Sequence, residues 1–252
     1  MNKKILYILS NKFSNIDKLL SLVNSSYINI AVDGGLEIAK KYRFLDKLSF
    51  AIGDFDTCKS PEKIIKIEKI IRFPSEKDDA DTILAYKYAV SKDKDQLSDL
   101  FRKNKMNMPP ESLTNYTIDK TFEHHFFSVS GKREDHFISL LFFFINEIKS
   151  KKINALNIIF HNDKETIYIL DSGKYTIKGE QNRTFSFFPL DDLYDISFTG
   201  SKYTFPDKIY KYESSGLSNI FTKETSSISF KGGLAILSII NKSSNLIDIV
   251  KE

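Results

Sequence analysis

Ala51-Ile52-Gly53-Asp54-Phe55-Asp56-Thr57 is the stretch on which the reading of the chain turns. An apolar run over residues 48–52 stops at Gly53, and two carboxylates follow one residue apart. A run of this length reads as a short buried strand. At a strand end, residues i and i+2 point to the same side, so Asp54 and Asp56 can converge on one hard cation. Gly53 allows a backbone or ligand to come close. The plain alternative is a polar turn, because Gly and Asp are ordinary turn residues. Other strands that end in the same manner decide between the two.

Working outward, residues 4–9 read as a first buried strand, and residues 27–32 as a second that ends in Asp33-Gly34-Gly35. Residues 70–73 are a further short strand. Residues 126–129 are another, ending in Ser130-Gly131. Between them lie apolar patterns of helical spacing over residues 15–23, 36–42, 79–90 and 135–148. Strands alternating with helices imply a parallel sheet flanked by helices. In such sheets ligands bind beyond the carboxyl ends of the strands. Asp33, Asp54, Asp56 and Gly131 all fall at such ends.

The composition permits this architecture. A chain of 252 residues with 41% hydrophobic residues can bury one large core or two smaller ones. The formal net charge is +4, but Lys and Arg alternate with Asp and Glu along the chain. That argues against a dedicated nucleic-acid face, which needs clustered cations. Cys58 is the only cysteine, so no disulfide forms within the chain. The apolar start, residues 5–9, is too short for a signal peptide and lacks a cleavage site. Together these point to a reducing cytoplasm. Residues 137–145 are greasy but too few to span a bilayer, so no membrane partner is expected.

From residue 91 to 120 the chain is polar and irregular, with Met106, Met108, Pro109 and Pro110 and room for a short helix at 97–101. It reads as a surface insertion. After residue 152 the character changes to short β-rich segments at 153–160, 166–170, 175–177, 184–188, 196–198, 227–230 and 235–239. Asp171-Ser172-Gly173 and Lys231-Gly232-Gly233 read as turns between them. The expected fold class is therefore α/β plus all-β: an N-terminal parallel sheet with helices over residues 1–150, and a β-sandwich-like domain over 151–252.

The glycine-rich phosphate cradles are absent: no Gly-x-x-x-x-Gly-Lys-Ser/Thr and no Gly-x-Gly-x-x-Gly after a strand. A nucleotide must then be held by metal and cationic side chains. Glu76-Lys77-Asp78-Asp79-Ala80-Asp81 supplies a second acidic cluster. Asp78 and Asp81 share a face if both lie at a helix start, and Lys77 offers charge to a phosphate. Acidic residues at a helix start also serve the dipole alone. With Asp54 and Asp56, the cluster suggests a carboxylate-lined Mg²⁺ site. Gly131-Lys132-Arg133-Glu134-Asp135-His136 stands between a strand and a helix, where anions are favoured. Arg133 has the fork that suits phosphate. His124 and His125 precede the strand and lack the further ligands a zinc site needs. No Gly-x-Ser-x-Gly elbow is present, which argues against a serine hydrolase.

Taken in order, Asp33-Gly34-Gly35, Gly53-Asp54-Phe55-Asp56-Thr57, Lys77-Asp78-Asp79-Ala80-Asp81 and Gly131-Lys132-Arg133-Glu134-Asp135-His136 resemble the motifs of the thiamine pyrophosphokinase (thiamine diphosphokinase) family. In the β-rich half, Gly200-Ser201-Lys202-Tyr203 and Ser214-Ser215-Gly216-Leu217-Ser218-Asn219 resemble that family's thiamine-contacting segments. Lys132, Glu134, Thr57 and Ala80 depart from its usual residues, and the 91–120 insertion is long for it.

The resemblance implies transfer of the terminal pyrophosphoryl group of ATP to the hydroxyl of thiamine, with release of AMP. It implies Mg²⁺ on Asp54, Asp56, Asp78 and Asp81, with Asp33 at a neighbouring strand end able to complete the acidic floor, and ATP near Asp33, Gly34, Gly35, Lys77, Gly131 and Arg133. Tyr203, Ser218 and Asn219 would take thiamine, and either Asp81 or Asp135 would accept the hydroxyl proton. It also implies a homodimer with sites between subunits. Two other readings compete: a Mg²⁺-dependent nucleotide phosphohydrolase, and a non-catalytic thiamine- or nucleotide-binding protein.

Overall fold

The structure is a computed structural model. It describes residues 3–10, 13–58, 60–91, 94–104, 121–130, 133–179, 181–240 and 248–252. Six strands run parallel: β1 Lys4–Ile8, β2 Ile28–Val32, β3 Phe50–Gly53, β4 Ile70–Arg72, β5 Glu123–Phe127 and β6 Ile158–His161. Their spatial order is β6-β5-β1-β2-β3-β4. The helices are α1 Ile16–Ser25, α2 Gly35–Lys41, α3 Asp81–Val90, α4 Lys94–Lys103 and α5 Glu134–Lys149.

The strands read as apolar runs because both faces of the sheet are covered. Every residue of β2 is buried. Tyr7, Phe50, Phe126 and Phe160 pack on one face with Tyr86, Leu140 and Phe144 from α3 and α5. Leu6, Ile8 and Ala31 pack on the other with Leu19, Leu22 and Leu36 from α1 and α2. Gly35 is required where α2 begins: a Cβ there would lie 1.9 Å from the carbonyl oxygen of Ile8. The helix can therefore enter tight against β1 only with no side chain at that position.

Past β6 the ladder continues without a break. β7 Glu165–Lys178 pairs antiparallel with β6 and with β12 Thr225–Ile240. The remaining strands are β8 Thr184–Pro189, β9 Leu193–Thr199, β10 Lys208–Ile209, β11 Gly216–Ile220 and β13 Asp248–Lys251. The late half of β12 joins β8 and through it β11, whereas the early half joins β9 and β10. Two layers result, and β7 and β12 belong to both, as happens where strands turn a corner at a bulge. Aromatic rings close the gap between layers: Phe185 stacks on Phe198 at 4.8 Å, and Phe187 meets Phe230 edge-on at 5.7 Å. The α/β plus β-sandwich class read from the sequence is the class observed.

Several local expectations are corrected. Asp171-Ser172-Gly173 and Lys231-Gly232-Gly233 are not turns between strands. They lie inside β7 and β12, facing one another across the bulge between Phe230 and Leu234. Gly232 (φ 111°) bends the strand there instead of ending it. The fifth parallel strand begins at Glu123, so His124 and His125 are part of it, not ahead of it. The short helix expected at 97–101 is present but longer: α4 spans Lys94–Lys103 and buries Leu97 and Phe101, the latter against Phe73 and Tyr88. The rest of the expected insertion, residues 105–120, lies outside the described residues.

Candidate active site

The carboxyl ends of β2 and β3 bring three acids together. Ligand oxygens of Asp33, Asp54 and Asp56 all lie within 4.8 Å of one another. They do not converge by strand alternation as expected from the sequence. Phe55 adopts φ 58°, and the Asp56 N–H donates to Asp54 Oδ1 at 3.1 Å, so a tight turn folds both carboxylates inward. Asp33 also has positive φ, 45°, and its backbone abuts Gly53, where a Cβ would lie 3.0 Å from Asp33 Cα. Backbone strain of this kind concentrates at functional sites.

Lys77 and Asp81 border the three acids. Lys77 Nζ stands 2.7 Å from Asp54 Oδ2 and 3.1 Å from Asp81 Oδ1, with its side chain almost wholly buried. Burial raises the Asp54 carboxyl, but the hydrogen bond from Lys77 and the Asp56 N–H outweigh it and hold Asp54 below the usual carboxylate range. Asp81 goes the other way. Burial pushes it up to about 6 against the opposing charge of Lys77, and Asp54 adds to the rise. Asp33 is raised by burial and by its two acidic neighbours, against the hydroxyl of Thr57 and the N–H of Gly34.

The other expected residues are placed as follows. Asp78 is exposed and precedes α3, which starts at Asp81, so the two share no helical face and Asp78 is outside the acidic group. Asp79 pairs with Lys87 on α3. Gly34 caps α2 and Gly35 opens it, both against the β1 edge. Arg133 and Asp135 grip each other through two hydrogen bonds, 3.0 and 2.7 Å, on the surface. That pairing holds Asp135 down at about 2. Gly131 and Lys132 lie outside the described residues.

In the β-rich half the two expected segments do meet. The buried Asn219 side chain accepts from Tyr203 N–H at 3.0 Å and donates to Tyr203 O at 2.8 Å. Asn219 is thereby engaged in holding the segment. Tyr203 keeps its ring 56% exposed, so it offers a face, with Lys202 beside it. Ser218 is exposed, with φ 53°.

Two contributors escaped the sequence reading. Arg72 at the end of β4 donates to the Asp54 carbonyl at 3.2 Å and lies over the Phe55 ring. Asn162 holds the backbone of Ser130. A lone Arg at a strand end and an Asn-Asp pair carry no spacing signal, so only the fold exposes them. His124 bonds to the Tyr7 hydroxyl, and His125 bonds to His161 and Glu123. Burial lowers all three histidines, His124 to about 3, which makes them neutral core groups.

The site can hold a hard divalent ion. Its donors are all oxygen, as Mg²⁺ prefers. Asp33 Oδ1 is buried with no hydrogen-bond partner among the described residues, a costly state that a cation would relieve.

Comparison with known proteins gives two family matches. The family "Thiamin pyrophosphokinase, catalytic domain" matches residues 19–156, more than half of the chain. "Thiamin pyrophosphokinase, vitamin B1 binding domain" matches residues 174–235. No curated protein sequence matches. Among solved structures, the chain is similar to thiamine pyrophosphokinase from Bacillus subtilis (TM-score 0.70, 20% identity, 96% of this chain and 100% of that one covered). It is similar to thiamin pyrophosphokinase from Candida albicans (0.70, 21%, 95% and 89%). It also resembles a thiamin pyrophosphokinase family protein from Enterococcus faecalis (0.68, 19%, 96% and 100%). At these identities the structural likeness speaks for the fold.

Proposed function

Since the chain belongs to the thiamin pyrophosphokinase family and is a thiamine diphosphokinase, we propose how its residues divide the work. The observation that carries the proposal is the convergence of Asp33, Asp54 and Asp56 at the carboxyl edge of the sheet. These three would hold Mg²⁺, which supplies charge neutralisation and alignment for the triphosphate of ATP when bound. Asp78 and Asp81, both in the ligand set expected from the sequence, lie outside this three-acid group, and Asp33 takes their place in the proposed set.

The chain's own residues account for the rest. Lys77 locks Asp54 and Asp81 in place and keeps a cation beside the acids. Arg72 at the end of β4 and Arg133 at the start of α5 have the fork suited to phosphate oxygens. Arg133 must exchange its Asp135 partner for the ligand. Between the two candidates for proton acceptor, the reading favours Asp81. Its proton affinity lies near neutrality, whereas Asp135 is held at about 2. Tyr203 offers an aromatic face to the cationic thiamine rings, with Ser218 at the same edge.

The chain divides into a catalytic part, residues 1–150, and a thiamine-binding part, residues 151–252. A homodimer is proposed because Tyr203 is too open to enclose a ligand alone. A second chain would supply the missing wall. Among the described residues no helix is long and apolar enough to cross a membrane. A reducing compartment, the cytoplasm, is proposed on the single cysteine.

Incubation with ATP, Mg²⁺ and thiamine, followed by chromatography, tests the reading. Equimolar AMP and thiamine diphosphate are expected. Nucleotide breakdown independent of thiamine would point to the phosphohydrolase instead, and binding without turnover to the non-catalytic protein.

A further inference from the structure

A row of polar side chains crosses the sheet from the end of β5 to the thiamine segment. The backbone N–H of Ser130, just past β5, donates to Asn162 Oδ1 at 3.0 Å. The Asn162 side-chain Nδ2 donates to Glu165 Oε1 at 3.2 Å, within the β6–β7 turn. Ser238 Oγ on β12 donates to Glu165 Oε2 at 2.6 Å. Ser238 is paired with Ser186 on β8, so their hydroxyls share a face. The Ser218 N–H on β11 donates to Ser186 Oγ at 3.1 Å. The row thus steps through β5, β6, β7, β12, β8 and β11, each the neighbour of the next.

The chemistry fixes which atom faces which. Turned over, the Asn162 amide would set NH₂ against the Ser130 N–H and an oxygen against a carboxylate. Asn162 and Ser238 are both buried, so water competes little for these bonds. Asp163 in the same turn accepts from Ser14 and Asn15, which ties down the start of α1 as well. This one turn therefore governs how two chain segments leave the carboxyl edge of the parallel sheet.

We propose that Asn162 and Glu165 are positioning residues for nucleotide binding: anchored to β12, they fix the Ser130 backbone just past the carboxyl end of β5, on the sheet edge where Asp33, Asp54 and Asp56 gather. The inference rests on the nucleotide reading above and deepens it. Loops at strand ends are the low-stability parts of a fold, and phosphate binding needs its contacts held in advance. Neither residue touches the acidic floor, so the effect acts through Ser130.

Substitutions that exchange donor and acceptor test it. N162D keeps an acceptor for Ser130 but sets a carboxylate against Glu165. In N162D/E165Q the amide nitrogen sits at position 165 and donates to the carboxylate at 162, while its oxygen still accepts from Ser238. Binding of Mg²⁺ with α,β-methylene-ATP, and separately of thiamine, is measured by calorimetry, with wild-type turnover as a control. N162D is expected to weaken the nucleotide analogue about tenfold and thiamine less than about twofold. The double variant should recover to within about threefold of wild type, and the selective loss of nucleotide over thiamine in N162D is what a merely structural role would not produce.

An unchanged nucleotide affinity in N162D, equal loss for both ligands, or a double variant no better than N162D would overturn the proposal. So would a wild type that binds no nucleotide analogue. A wild type that binds the analogue yet forms no thiamine diphosphate would sink the functional reading and leave the positioning role standing on its binding data.

Discussion

The acidic floor of the parallel sheet and the Tyr203 segment of the β-rich half are built on opposite principles. In the first, charged groups are crowded, half-buried except for the exposed Asp56, and held by strained backbone: Asp33 and Phe55 have positive φ, and Lys77 is locked between Asp54 and Asp81. In the second, the polar side chain of Asn219 is satisfied internally and the aromatic ring is left open. The difference follows from the chemistry each must meet. A divalent ion and a triphosphate need fixed charge, and preorganised charge is effective only where water is scarce. A flat organic cation needs area, which can be completed from outside.

The largest effect should come from the floor. Asp54→Asn is expected to lower kcat by at least about 10²-fold with the fold intact, read from AMP and thiamine diphosphate formation. A variant with the wild-type rate at ordinary Mg²⁺ would erase the contrast drawn above.

Lys77→Met removes the cation between two largely buried acids. Breaking such a pair costs about 3 kcal/mol, or roughly 6–12 °C in Tm for a chain of this size. Added Mg²⁺ should restore part of the loss, and calorimetric scans with and without the ion would show it. A loss of stability indifferent to Mg²⁺ would mean that Lys77 serves packing rather than the ion site.

A pH titration sharpens the comparison at the level of stability. His124 is held neutral in the folded protein down to about pH 3, whereas in the unfolded chain it protonates near 6.5. The unfolded state therefore binds more protons between those values, so stability is full above pH 6.5 and falls as pH drops. The slope is about 1.4 kcal/mol per pH unit for each such group. His125 and His161 are lowered too and add to it. All three lie on β5 and β6, so amide exchange at pH 5 should quicken there before it does in β8 and β11. Uniform exchange across both halves would show that the shared sheet transmits the loss at once.

The smallest expected effect is at the open ring. Tyr203→Ala should weaken thiamine by about 3–30-fold, the range of a cation–π contact, and leave ATP nearly unchanged. Equal loss for both substrates would count against the stacking role.

Much of this was legible in the residues. Continuous apolar runs ending in Asp-Gly-Gly and Gly-Asp-Phe-Asp announce parallel strands with acids at their carboxyl ends, because a strand buried on both faces can carry polar groups only where it stops. The helical spacing of residues 15–23 and 79–90 needs no tertiary knowledge. The breaks in β7 and β12 were misread for a physical reason as well. Gly-containing triplets signal a bend, and local sequence does not say whether a bend ends a strand or carries it around the corner of a sandwich.

Sequence by itself determined the alternation of elements, the acidic strand ends and the change to β structure after residue 152, since each follows from local periodicity and residue chemistry. Tertiary structure decided which of the expected acids meet and which do not. Asp33 joins Asp54 and Asp56 because β2 and β3 are neighbours, and Asp78 is left in solvent because α3 starts three residues later. It also decided that a turn at Asn162 reaches Ser130, which lies thirty-two residues away along the chain. Contacts between distant segments depend on strand order and register, and no short window of residues encodes them.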